Sequence, residues 1–210
     1  MKHYLGSAWT AVRLAAVVAT AVLLAGCIIT SKAELVADGE GEQIFPAKVF
    51  LTGYDEDGAN TWKVSDDPPQ EMTLDGNTYK SADGSLNARF VPLESQPGKY
   101  LLAIVSADGS IYGAATFKND VLALDMILGD PDPLTVAKSS GVAELQSLEK
   151  QEGEDSGGIV VTTREQLDAL IQLYLDEKLS LMTLVMYATD TADADKPARI
   201  VFQDGEYREE

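Results

Sequence analysis

Four Asp-Gly dipeptides, at 57–58, 75–76, 83–84 and 108–109, divide the stretch from Ala47 to Leu128 into short apolar runs. Asp-Gly supplies the positive φ angles that a tight hairpin turn requires, so each pair predicts a chain reversal between two strands. The candidate strands are 47–53, 60–64, 71–74, 77–81, 85–92, 98–106, 110–117 and 120–128. Leu86, Ala88 and Phe90 alternate with Asn87 and Arg89, as in a strand with one wet face. Tyr100 to Val105 is apolar on both faces, as in a central strand. Ala-Asp-Gly-Ser occurs at 82–85 and 107–110, which reads as shared turn chemistry rather than a repeat. Hairpins in sequence predict an antiparallel meander over 47–128, either a curled sheet or a small barrel.

Gly129-Asp130-Pro131-Asp132-Pro133 closes that unit, because proline cannot continue a ladder. Residues 129–158 read as a loop with a short helix around Val142–Leu148, ending in the exposed stretch Gln151–Gly158. Residues 159–203 read as a helical C-terminal part of the same domain, introduced by a short strand at Ile159–Val161. Its main helix is Arg164–Lys178, where Leu167, Leu170, Ile171, Tyr174 and Leu175 form one apolar stripe. Thr162 with Glu165, or Thr163 with Gln166, makes a capping box at its start. Leu181–Ala188 is apolar and reads as a second helix or a strand, the helix being favoured; Ala198–Phe202 reads as a late strand, and Asp190–Pro197 and the tail 204–210 as solvated. The expected fold class is β-rich α+β, with one or two C-terminal helices packed on the meander.

Residues 1–26 read as an export signal. Lys2 and Arg13 are their only charges, and an apolar run extends from Leu14 to Leu24. Counted on to Ile29 the run covers 16 residues, short of the roughly 20 that a spanning helix needs. Leu24-Ala25-Gly26-Cys27 resembles the lipobox of bacterial lipoproteins. The resemblance implies diacylglycerol on the Cys27 thiol, cleavage of the signal before Cys27, and a further acyl chain such as palmitate on the new amino terminus. Several acyl chains at about 0.8 kcal/mol per buried CH₂ hold a protein on a bilayer durably. Ile28 follows Cys27 where inner-membrane lipoproteins often carry Asp, so the resemblance implies sorting to an outer membrane where the source has one. Residues 27–46, with Asp38-Gly39-Glu40-Gly41-Glu42, read as a tether between lipid and fold.

Without residues 1–26 the chain carries 14 bases against 34 acids, a formal charge of -20 over 184 residues. Such a surface repels nucleic acid, whose binding rests on neutralised phosphates, and attracts cations or basic partners. The expected partners are the bilayer, through acylated Cys27, and an envelope protein. Cys27 is the only cysteine and His3, inside the signal, the only histidine. An exported domain with no histidine, and with its one thiol acylated, hosts no Ser-His-Asp triad, no Cys-His dyad and no His-ligated zinc. No cofactor or resident metal is expected, and carboxylate chemistry remains the open catalytic route.

Several residues invite a site. Asp55-Glu56-Asp57-Gly58-Ala59-Asn60 resembles part of a calcium loop, but Gly53 and Val64 then stand where an EF-hand needs Asp and Glu. What remains is an oxygen-rich cation site or an acidic hairpin turn. Asp125 interrupts the apolar run Val121–Ile127, so it is either paired with a base such as Arg89 or Lys118, or set in a pocket. Trp62 and Tyr54 are candidates to line a groove. Three functions follow: a non-catalytic envelope lipoprotein with a binding or structural role, a lipocalin-like binder with a barrel interior, or a carboxylate hydrolase.

Overall fold

The computed structural model describes residues 29–94, 96–106, 109–127, 133–142, 144–147, 158–179 and 181–210. The expected signal 1–26, the lipobox-like stretch with Cys27, the stretch 128–132 and residues 151–157 of the acidic loop lie outside the described residues.

Eight of the described strands close an antiparallel barrel. They are β2 (Lys48–Gly58), β4 (Gln70–Asp75), β5 (Thr78–Ser81), β6 (Asn87–Pro92), β7 (Lys99–Ser106), β8 (Gly109–Lys118), β9 (Val121–Ile127) and β12 (Leu181–Thr189). Each pairs with the next in that order, and β12 returns to β2 through Val185 opposite Tyr54 and Ala188 opposite Leu51. The expected meander is therefore a closed barrel, and seven of its strands come from the predicted hairpin region. Tight turns carry the reversals: Asn119 and Asp120, between β8 and β9, both have positive φ, at 52° and 62°.

Leu181–Ala188 corrects the sequence expectation of a helix. Leu184, Met186 and Ala188 belong to the interior cluster, whereas Val185 and Tyr187 belong to one on the outer wall. Both faces of β12 are covered, so its period of two is masked by apolar residues on each side.

The barrel interior is filled. Phe45, from the segment before β2, inserts between Tyr79, Phe90 and Phe117, with ring centroids 5.4, 5.7 and 4.6 Å away. The Tyr79 hydroxyl donates to the Phe45 carbonyl at 2.5 Å and accepts from its N–H at 2.8 Å. One residual cavity of about 40 Å³ remains among Leu51, Met72, Leu102, Leu122 and Leu124. Eight strands enclose a space just wide enough for side chains to fill. An apolar interior is also the inverse of a membrane-spanning barrel, whose lumen is polar. No described helix is long and apolar enough to cross a membrane.

Two layers cover the outside. On one flank, the helix α2 (Arg164–Leu175) lays Leu167, Leu170, Ile171 and Tyr174 on Leu101, Ala103, Tyr112 and Ala114, as its apolar stripe predicts. Thr163 caps it: its hydroxyl accepts from Gln166 N–H at 3.3 Å, and the Gln166 side chain accepts from Thr163 N–H at 3.3 Å. On the other flank, β3 (Thr61–Val64), β13 (Arg199–Gln203) and β14 (Glu206–Glu209) continue from the far end of β2 as a small sheet. Trp62 and Ile200 pack there against Val121 and Val185. The expected solvated tail 204–210 is thus part of a hairpin, turned by a further Asp-Gly pair, Asp204 (φ 55°) and Gly205 (φ 80°).

The expected tether is folded from Ile29 onward. The strand β1 (Ile29–Ser31) pairs with β8 and runs parallel to β11 (Ile159–Val160), which in turn pairs with β10 (Gln146–Ser147). Ile29 and Val36 are fully buried, each such burial being worth about 1.5–3 kcal/mol. Arg89, only 8% exposed, clamps this segment. It pairs with Glu34 and with Asp38 at 3.1 Å, and donates to the Val36 carbonyl at 2.9 Å. Two acids of the expected tether, Glu34 and Asp38, are the other half of this clamp, and a third, Glu40, pairs with Arg164 at 2.7 Å. The short helix expected around Val142–Leu148 lies earlier, as α1 (Pro133–Ser139), with proline at its first position, where no N–H is needed.

Candidate binding cleft on the outer wall

Between the C-terminal end of α2 and the β13–β14 hairpin the barrel wall is left uncovered. The opening is a cleft of about 720 Å³ with a mixed polar and apolar lining, within the range of ligand sites. Its floor comes from outward-facing residues of β8, β9 and β12.

Asp125 sits on that floor and is 9% exposed. Its Oδ2 accepts from the Tyr174 hydroxyl at 2.7 Å and its Oδ1 from the Thr183 hydroxyl at 2.7 Å. Thr183 lies directly opposite Asp125 in the β9–β12 ladder, and Tyr174 reaches it from the last turn of α2. The expected partners are elsewhere. Arg89 is taken by the amino-terminal clamp, and Lys118 pairs with Glu206 at the rim. Asp125 therefore follows the pocket alternative, held by two neutral hydroxyls. A carboxylate oxygen has room for a second donor, so the group keeps acceptor capacity toward the cleft.

The hydroxyls around it stay protonated. Burial, then the negative charge of Asp125, pushes the Tyr174 phenol far above its ordinary value. Burial, then Asp125, does the same to Tyr207, whose hydroxyl also meets Thr183. Tyr174 thus serves Asp125 as a hydroxyl donor.

β9 lies close on β8 here because Gly113 has no side chain. A Cβ at that position would stand 2.8 Å from the Asp125 carbonyl and 2.9 Å from Met126 Sδ.

The walls are aromatic. Trp62 and Tyr207 have centroids 5.7 Å apart, and Tyr207 and Phe202 4.8 Å. Phe202 is 38% exposed and is the one large exposed apolar side chain among the described residues. Lys99 holds its ammonium 5.7 Å from the Tyr174 ring centroid. The helix end contributes too: Glu177 adopts a left-handed φ of 57°, and Lys178 N–H closes the turn on the Leu173 carbonyl at 3.0 Å.

The other sequence candidates sort differently. Trp62 lines the cleft, but Tyr54 does not: its hydroxyl donates to the Pro197 carbonyl at 2.5 Å, and burial raises its pKa to about 12. Asp57 is a hairpin acid paired with Arg199 at 2.8 Å and Lys63 at 3.9 Å, which favours the turn reading of 55–60 over a cation loop. Among the described residues no group of three or more His, Cys, Asp or Glu is placed to hold a metal. The sequence reading overlooked Lys99, Thr183, Phe202 and Tyr207 as site residues. Only the Asp204-Gly205 turn signals that the last two face each other across a hairpin. No protein-family model, curated protein or solved structure matches the chain.

Proposed function

We propose that this chain is a lipid-anchored cell-envelope protein whose barrel serves as a rigid, non-catalytic scaffold for a binding site on its outer wall. The anchor is acylated Cys27, and in an envelope of two membranes its place is the outer one, facing the periplasm. The lipobox Leu24-Ala25-Gly26-Cys27 supports the address. The observation that carries the binding role is the cleft of about 720 Å³ with Asp125 on its floor, set beside an interior cavity of about 40 Å³. The cleft offers a fixed acceptor, Asp125, beside an aromatic surface, which suits the holding of a ligand.

Two measurements test this reading. Radioactive fatty acid should label the parent chain and not Cys27→Ser; equal labelling of both would remove the anchor. Turnover by the purified protein that Asp125→Asn abolishes without loss of fold would replace the binder with a carboxylate hydrolase.

A lipocalin-like binder is the second reading, and the closed eight-stranded barrel is compatible with it. A lumen of about 40 Å³ holds a few waters at most, so this reading requires Phe45 to leave the interior. Native mass spectrometry of protein taken from its own envelope decides it: a retained apolar ligand supports it, and an empty barrel removes it.

A further inference from the structure

The cleft is built for charge of one sign. Four carboxylates, Glu56, Asp125, Glu177 and Glu206, face two lysines, Lys99 and Lys118, leaving a formal charge of -2. The Lys118 charge is already spent on Glu206. Lys99 has no carboxylate within 4 Å among the described residues and lies over the Tyr174 ring, showing that an ammonium is accommodated against this wall. The carbonyl end of α2 points its negative partial charge at the same space. Across from it the lining includes the rings of Phe202, Tyr207 and the largely buried Trp62, and aromatic rings attract cations through their quadrupoles. A chain at -20 outside its signal adds a long-range field of the same sense.

We infer that the cleft binds an organic cation, an alkyl-ammonium carried on an apolar or aromatic stem, with Asp125 receiving the ammonium and Trp62, Tyr207 and Phe202 receiving the stem. The inference rests on the cleft being the binding site and adds the ligand's chemistry. An anionic ligand meets the uncompensated carboxylates at the cost of like-charge repulsion. A neutral apolar one leaves Asp125 buried with unused acceptor capacity.

Trp62 is the sole tryptophan outside the signal, since the other is Trp9, so the fluorescence of the processed chain reports the cleft directly. The test titrates the purified protein, in neutral detergent, with 2-phenylethylamine and with its uncharged isostere 2-phenylethanol. The amine is expected to bind at least about ten-fold more tightly, the worth of one charge-assisted hydrogen bond. That ratio should collapse in Asp125→Asn and shrink as salt is raised. Because Asp125 also holds Tyr174 and Thr183, the exposed rim variant Glu177→Gln provides a second reading without touching the floor. It should reduce the preference for the amine by a smaller factor. Nα-acetyl-lysine amide separates the sources of the group: tighter binding than the free amine assigns a peptide lysine, weaker binding a free aromatic amine. Equal binding of amine and alcohol with a Trp62 response overturns the inference while the cleft remains a binding site. Silence of Trp62 toward both compounds overturns the two together.

Discussion

The inside and the outside of this barrel solve opposite problems. Inside, aromatic rings and aliphatic chains interlock around a cavity of about 40 Å³, and the Tyr79 hydroxyl is satisfied locally by the Phe45 backbone. Outside, between α2 and the β13–β14 hairpin, the same wall carries a buried carboxylate, paired hydroxyls and aromatic rings around about 720 Å³. Both surfaces belong to the same strands. Leu122 and Leu124 of β9 point inward and Asp125 outward, so one strand supplies the core and the site by its alternation alone. The lumen carries packing alone, whereas the outer wall carries both packing, under α2, and the cleft. Damage to the first should leave the second intact in every molecule that still folds.

The largest effect expected of any single change is therefore inside. Phe45→Ala removes the ring that Tyr79, Phe90 and Phe117 surround, and should cost about 3–5 kcal/mol in denaturant unfolding. The same variant should gain affinity for apolar dyes, as its lumen opens, while the Trp62 response to 2-phenylethylamine stays that of the parent. A loss of that response in folded protein would show that interior and cleft are one coupled unit.

The second effect lies at the cleft. Asp125→Ala strips the acceptor from the Tyr174 and Thr183 hydroxyls, both held at 2.7 Å, and should cost about 1–3 kcal/mol. Asp125→Asn keeps an acceptor and the shape, and should cost less. If Asp125→Ala is neutral or stabilising, the hydroxyls find water instead, and the floor is wetter than its burial indicates. The contrast with Phe45→Ala is qualitative as well: dye binding should not rise, because no lumen is opened.

Much of the inside was legible in the sequence, and less of the outside. Asp-Gly pairs and alternation such as Leu86, Ala88 and Phe90 mark six barrel strands to within two residues, because turn chemistry and period are local, while β2 runs five residues past its expected end at 53. The eighth, β12, was read as a helix because the small sheet of β3, β13 and β14 covers its outer face and removes the polar half of the pattern. The amino-terminal segment reads as a tether because the clamp that holds it comes from Arg89, more than 50 positions away, which donates to Glu34 and Asp38. Asp125 was visible as an anomaly, a carboxylate in an apolar strand, but its partners come from α2 and β12 and no spacing in the chain encodes them. The helix stripe shows the same division. Leu167, Leu170 and Ile171 announce packing, while Tyr174 in the same stripe both packs and donates to the site.

The third effect is small and of opposite sign on the two properties. Glu177 ends α2 in a left-handed conformation that costs an L-residue roughly 1 kcal/mol and glycine almost nothing. Glu177→Gly should raise the unfolding free energy by up to about 1 kcal/mol and lower the preference for cations, because one rim carboxylate is gone. Such a trade is expected where strain is kept at a functional edge. Gains in both stability and cation preference would show that the glutamate serves neither.

The smallest effect belongs to a turn away from the cleft and tests the comparison through pH. Between β5 and β6 the Asp83 carboxylate accepts from the Ser81 hydroxyl at 2.6 Å, the Ser85 hydroxyl at 2.7 Å and the Ser85 N–H at 3.0 Å. These bonds, that from Ser81 first, pull its pKa down from 3.8 to about 2. A carboxyl depressed in the folded state stabilises the fold above its unfolded value and loses that contribution as pH falls through the folded one. The contribution should be whole above about pH 4 and gone near pH 2. Solvent screens so exposed a group, so Asp83→Asn should cost less than about 1 kcal/mol at neutral pH and nothing near pH 2. Unfolding curves of the two proteins across that window should converge, with the Trp62 emission of the folded state unchanged by the substitution. Curves that stay parallel down to pH 2 would mean the serine bonds hold the neutral acid as well as the anion, and that the turn's stability does not depend on charge.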